Sequence, residues 1–239
     1  YIGYPEELPE RYKDKVVDET VSLFDNALAF ARVEIKHSWS KWNQPVDYKE
    51  WGMPAHMVNA YYNPQKNLIV FPAAILQAPF YDLHQSSSAN YGGIGAVIAH
   101  EISHAFDTNG ASFDENGSLK DWWTESDYAA FKEKTQKVID QFDGLESYGA
   151  RINGKLTVSE NVADLGGIAA ALEAAKREKD FSAEEFFHNF ARIWRMKGRP
   201  ELMKLMASVD VHAPAKLRVN VQVPNFDDFF TTYDVKEGD

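Results

Sequence analysis

The sequence predicts an α+β protein that is mainly helical and carries one small sheet. Five segments place apolar residues at helical spacing, and only one pair of short runs is rich in strand formers. No internal repeat or low-complexity tract interrupts them. Residues 15–37 set Val17, Val21, Phe24, Leu28, Ala31 and Ile35 on one face of a long amphipathic helix. The runs HMVNAYY (56–62) and NLIVF (67–71), joined by an Asn-Pro turn signal, predict a hairpin. The glycines of YGGIG open a helix that continues to about Phe106, where two Asn-Gly steps break it. YGGIG lacks the Gly-x-Gly-x-x-Gly spacing and reads as close helix packing rather than a phosphate cradle. An acidic-started amphipathic helix follows in TESDYAAFKEKTQKVIDQF. SENVADLGGIAAALEAAKREK predicts a helix with Ser159 as N-cap and a basic end. Residues 182–197 predict another, capped by Ser182 with Glu185 three residues on, and LRVNVQV further along reads as strand-like.

Composition narrows the chemistry. With 44% hydrophobic residues over 239 positions, the chain can bury a sizeable core. Its formal charge of -11 repels a phosphate backbone, so no nucleic-acid partner is expected. There are no cysteines, which removes disulfides and thiolate metal sites and leaves His, Asp and Glu as possible ligands. No run approaches the roughly 20 apolar residues of a membrane span, and no secretory signal is visible at the start.

The stretch VIAHEISHAFD concentrates the remaining candidates. His100 and His104, four apart on a helix, lie one above the other and can aim two imidazoles at one point. With Glu101 between them they fit the zinc-protease pattern His-Glu-x-x-His, in which the carboxylate activates a zinc-acidified water. The pattern alone leaves open a packed helix that happens to carry two histidines. Ile98 and Ile102 are expected to hold this helix in the core, on an apolar face shared with Ile94, Val97 and Phe106. Catalytic zinc normally has three protein ligands, so a third donor is required. Glu160 and Asp164, four apart on a later helix, offer one carboxylate to ligate and one to accept an imidazole N–H. Asp107 is a further candidate for that second task. His37, His56, His84 and His188 have no spaced partner and read as surface or capped residues. DENGSLKDWW begins like a calcium loop, but its Gly117 comes two positions too early.

The motifs VNAYYNP, FPAAILQAPF, NYGGIGAVIAHEISHAFD, NGKLTVSENVADLGG, RPE and DVHAPAKLRVN resemble, in order and spacing, the neprilysin and endothelin-converting-enzyme family of zinc endopeptidases. In lacking cysteine the chain is similar to that family's bacterial oligopeptidases. The resemblance implies a thermolysin-like catalytic domain over 1–239, with a small sheet whose edge strand binds substrate. It implies one zinc ion per chain held by His100, His104 and Glu160, with Glu101 as general base and Asp107 and Asp164 as orienting carboxylates, Asp164 being counted with the catalytic set. His212 would steady the transition state and Arg218 would bind a substrate carbonyl. Asn59 and Ala60 would pair with the peptide main chain. Ile75, Phe80, Ala96, Val97, Ile193 and Trp194 would form an apolar side-chain pocket, favouring cleavage on the amino side of hydrophobic residues.

Members of that family carry a large N-terminal segment that roofs the chamber, and a tail ending in tryptophan. Neither has a counterpart in this sequence, so 1–239 is expected to be a C-terminal portion of a longer chain, with exposed apolar surface. The expected function is a zinc-dependent endopeptidase of oligopeptides, acting as a monomer in the bacterial cytoplasm, an extracellular or cell-surface location staying open. The alternative is a catalytically weak, peptide-binding zinc module without its roof. A closed structural metal site is disfavoured by Glu101, for which it has no use.

Overall fold

The computed structural model describes residues 1–236. It is mainly helical, with a three-stranded sheet and a two-stranded hairpin. Helix α1 (Leu23–Ser40) starts later than the apolar period suggests. Asp18 takes the Thr20 N–H and hydroxyl at 2.9 and 2.6 Å, folding a turn where Val17 and Val21 were expected to be helical. Ser22 then caps the helix by accepting from Asp25 N at 3.1 Å. None of its residues is buried.

The sheet comprises β1 (Ile2–Gly3), β2 (Tyr61–Asn63) and β3 (Leu68–Pro72), in the order β1-β3-β2. The predicted hairpin is present: β2 and β3 pair antiparallel, and β2 is an edge. Its first strand is shorter than HMVNAYY, because a turn from Pro54 to Met57 delays the extended backbone. Asn59 and Ala60 therefore immediately precede the strand, with the Asn59 side chain accepting from Ala60 N at 3.0 Å.

A helical run comes next, made of α2 (Ser87–Asn90), a π-turn at Tyr91–Gly95 and α3 (Ala96–Ser103). The π-turn rests on its glycines. A Cβ on Gly92 would run into the Phe186 carbonyl and one on Gly93 into that of Phe80, so YGGIG is close packing as expected. Helix α3 stops three residues short of Phe106, and His104 is its C-cap. Its outer face departs from expectation: Ile98, Ile102 and Phe106 are 37%, 50% and 52% exposed. What holds α3 is the opposite side, packed on a later helix.

Helix α4 (Glu125–Phe142) carries a capping box between Thr124 and Asp127. A hairpin not expected from the sequence, β4 (Glu146–Ser147) and β5 (Ala150–Arg151), turns through Tyr148 and Gly149, both at positive φ. Helix α5 (Gly154–Ala175) begins six residues before the expected start. Asn153, not Ser159, is its cap, accepting from Lys155 N and Leu156 N at 3.0 and 3.1 Å. Helix α6 (Ala183–Ile193) has the predicted Ser182 cap. Helices α7 (Pro200–Val209), α8 (Ala215–Asn220) and α9 (Asp227–Tyr233) complete the fold. Arg218 thus lies on a short helix rather than a strand, because Pro214 starts a turn whose carbonyl accepts from Arg218 N.

The main core joins Ile168, Leu172 and Ala175 of α5 to Phe186, Phe187 and Phe190 of α6. A second core lies between α4, α5 and α7, and a third lies under the hairpin around Phe71, Ile75 and Ile94. Helix α5 also carries α3. A Cβ on Gly167 would stand 2.9 Å from both the Ala96 carbonyl oxygen and His100 N, so the absent side chain lets the two backbones close up. That approach brings Glu160 of α5 to the histidines of α3. The expectation about the chain end at Asp239 lies outside the described residues.

Candidate active site

His100 and His104 meet edge to face, ring centroids 4.6 Å apart. Each gives its Nδ1 to a carboxylate: His100 to Asp164 Oδ1 at 2.8 Å and His104 to Asp107 Oδ2 at 2.6 Å. A carboxylate only accepts, so both Nδ1 atoms carry a proton and both Nε2 atoms, the positions free to bind a metal once deprotonated, point inward. Those two nitrogens are 3.0 Å apart. Glu160 Oε2 lies 3.4 and 3.5 Å from them, buried, with no donor aligned to it.

Three electron-pair donors facing one point repel one another unless a cation lies among them. Two imidazole nitrogens and a carboxylate oxygen form the ligand set typical of zinc, and the residues present fit that ion. It is the one such cluster among the described residues. The surrounding charge agrees. Burial pushes the Glu160 carboxyl up, and the three histidines around it overturn that, holding it below the ordinary carboxylate range. Burial draws the His104 imidazole down, yet Asp107 and Glu160 carry it up to about 10.

The orienting carboxylates are themselves fixed. Arg218 of α8 grips Asp164 with Nε at 2.7 Å and Nη2 at 2.6 Å, and its guanidinium stacks 3.8 Å from the Trp194 ring centre. Burial raises the Asp164 carboxyl and Arg218 lowers it further, to about 2. Asp107 takes Asn109 N and Gly110 N on Oδ1, both at 2.7 Å, and the Ser159 hydroxyl on Oδ2. Glu101 is 6% exposed, and burial raises its carboxyl above the usual range despite the nearby histidines. His212 reaches in from the loop before α8, Nε2 lying 3.1 Å from Glu160 Oε2. Asp210 fixes its ring by accepting from the backbone N and Nδ1 at 2.9 and 2.8 Å. The Glu160 contact raises its pKa and burial opposes this, with a net rise.

Apart from Asp210, these groups line one cleft of about 440 Å³. Asn59, Ala60, Ile75, Phe80, Ala96, Val97 and Trp194 line it as expected from the sequence, whereas Ile193 turns into the core beside Phe190. Residues around the cleft that the sequence does not assign to it include Asp210, Ser159, Tyr62 and Asn109. Asp210 is legible in the Asp-x-His spacing before His212, while Ser159 reads as a cap. Tyr62 and Asn109 carry no local signal. His37, which reads as a surface or capped residue, meets Glu50 Oε1 at 2.9 Å, a partner 13 residues away that no local spacing signals.

Residues 59–239, which contain every charged group described around the histidines, match Peptidase family M13. The chain is 84% identical over 186 residues to a Streptococcus gordonii protein provisionally named a zinc metalloproteinase, covering 78% of this chain and 33% of that one. It is 56% identical over 239 residues to a Neutral endopeptidase of Lactococcus lactis subsp. lactis, covering 100% of this chain and 38% of that protein. Its fold is similar to the crystal structure of PepO from Lactobacillus rhamnosis, with a TM-score of 0.93 and 44% identity over 100% of this chain and 38% of that one. The chain thus spans well under half the length of these relatives. By its motifs, its fold and its relatives, the chain belongs to peptidase family M13, the neprilysin and endothelin-converting-enzyme family.

Proposed function

We propose that this chain forms the catalytic portion of a zinc-dependent endopeptidase that hydrolyses oligopeptides. The observation that carries the reading is the convergence of His100 Nε2, His104 Nε2 and Glu160 Oε2 in a cleft that also holds the buried, raised carboxyl of Glu101. Zinc held by those three donors, one ion per chain, would supply a Lewis acid that acidifies water and polarises a carbonyl. Glu101 takes the proton from the attacking water and hands it to the leaving amine, a task suited to a carboxyl whose pKa burial has raised. His212 donates from Nε2 to the carbonyl oxygen as negative charge grows there. Because Asp210 occupies Nδ1, that donation requires the doubly protonated ring, which Glu160 favours.

Arg218 keeps Asp164 aligned and, with Nη1 free of protein acceptors among the described residues, also presents an N–H to a substrate carbonyl. Asn59 and Ala60, immediately before the edge strand, hold the peptide main chain. Ile75, Phe80, Val97 and Trp194 give the cleft an apolar wall, which supports preference for the amino side of hydrophobic residues. Among the described residues no helix is long and apolar enough to cross a membrane. We place the protein in the bacterial cytoplasm as a monomer, in keeping with the lack of cysteine and the net charge of -11.

Mass spectrometry of a peptide mixture incubated with the protein, with and without a chelator, tests this. Chelator-sensitive cleavage before hydrophobic residues is expected. Zinc and peptide affinity with no product would instead favour a peptide-binding zinc module.

A further inference from the structure

We propose that Ser159 is a positioning residue of the metal centre, acting through Asp107 on His104; this rests on the zinc reading above. Asp107 is 2% exposed and receives four donors. Two backbone N–H groups pin Oδ1, so the orientation of Oδ2 decides where the His104 ring is held. Oδ2 is shared by His104 Nδ1 at 2.6 Å and the Ser159 hydroxyl at 2.5 Å. Asn109 Nδ2 donates to Ser159 Oγ at 3.1 Å, which leaves the hydroxyl proton to point at Asp107.

The placement gives this hydrogen bond a purpose beyond local packing. Ser159 adjoins Glu160 on α5, whereas Asp107 and His104 belong to the end of α3 and the turn after it. One hydroxyl therefore ties the helix that supplies Glu160 to the carboxylate that aims His104. His100 has an equivalent support in Arg218, which grips Asp164 through two N–H groups. The two halves of the ligand set are braced differently: a buried ion pair on the His100 side, a neutral hydroxyl on the His104 side. Losing the hydroxyl leaves Oδ2 with the His104 contact alone, and the His104 ring no longer moves in register with Glu160.

The test compares Ser159→Ala and Ser159→Thr with the unaltered protein. Zinc affinity is measured by competition with a chelator of known affinity, and the ligand geometry is read from the absorption spectrum of the Co²⁺-substituted proteins. Loss of a partner that orients a metal ligand typically weakens binding by about 10–100-fold. Ser159→Ala is expected to lose about tenfold in zinc affinity and to show a changed Co²⁺ spectrum, while Ser159→Thr, which keeps the hydroxyl, stays close to the unaltered protein. Unchanged affinity and spectrum in Ser159→Ala would overturn the proposal alone, as would an equal loss in Ser159→Thr. An unaltered protein that bound no zinc would overturn the zinc reading and this proposal with it.

Discussion

Helices α1 and α5 are both long and both rich in apolar residues, yet α5 buries ten of its 22 residues and α1 none of its 18. Leu23 and Phe24 of α1 are 86% and 74% exposed. The difference lies in what each helix faces. Helix α5 runs between α3, α4 and α6, and its glycines and alanines let those neighbours approach closely. Helix α1 has ion pairs in place of packed neighbours. Glu50 gathers Arg11, His37 and Lys41 at 3.4, 2.9 and 2.5 Å, and Glu34 meets Arg11 and Lys15. Apolar periodicity thus specifies a helix and a face, and burial follows only where another surface covers that face. The cleft is built where cover exists on several sides, which is what allows ionisable groups to be held there in fixed geometry.

The sharpest way to break this contrast is at the ligand set. Glu160→Ala removes a buried donor that no neighbour can replace, and zinc affinity should fall by more than the ~10–100-fold that follows loss of an orienting partner; retained stoichiometric zinc in equilibrium dialysis would contradict the assignment. Next comes the core. Phe186 is fully buried against α5, so Phe186→Ala should cost about 3–5 kcal/mol in a urea melt, whereas Leu23→Ser on α1 should stay within about 0.5 kcal/mol. Comparable losses from the two would mean that α1 is covered in solution.

The smallest effect is expected at Glu50. Burial raises its carboxyl, and Lys41 and His37 bring it down to about 2. A depressed folded-state value stabilises the protein above the unfolded value of about 4.5, and that contribution is lost as pH falls through about 2. The group is partly exposed and screened, so Glu50→Gln should cost at most about 1 kcal/mol at neutral pH. Urea midpoints between pH 5 and pH 2 should converge for the two proteins as the pH drops. A gap that persisted to pH 2 would show that charge is not what Glu50 contributes.

What could be read in advance follows the same division. The histidine pair and the Glu160–Asp164 pair are legible because i, i+4 spacing on a helix fixes where side chains point, whereas Asp107, three residues after His104, is brought to its ring by the turn that follows α3. The Ser182 helix start is legible because its cap is local, and the helix after Thr124 because its first turn is acidic. Ser159 was misread because a serine before an acidic helix looks like a cap, and only the better cap at Asn153 moves the start upstream. Arg218 was placed on a strand because Val219 and Val221 alternate with polar residues, while the turn begun at Pro214 decides otherwise. The exposure of Ile98, Ile102 and Phe106 depends on which surfaces surround α3, and periodicity carries no information about that.

The central claim is that Glu101 performs the chemistry at a zinc ion held by its neighbours. Glu101→Gln tests it most directly, because the amide keeps the shape of the side chain and removes the base. The variant should bind one zinc per chain by mass spectrometry of the native protein and cleave oligopeptides at least a hundredfold more slowly, on the order of general-base contributions. Zinc-bound Glu101→Gln with full peptidase activity would contradict the account.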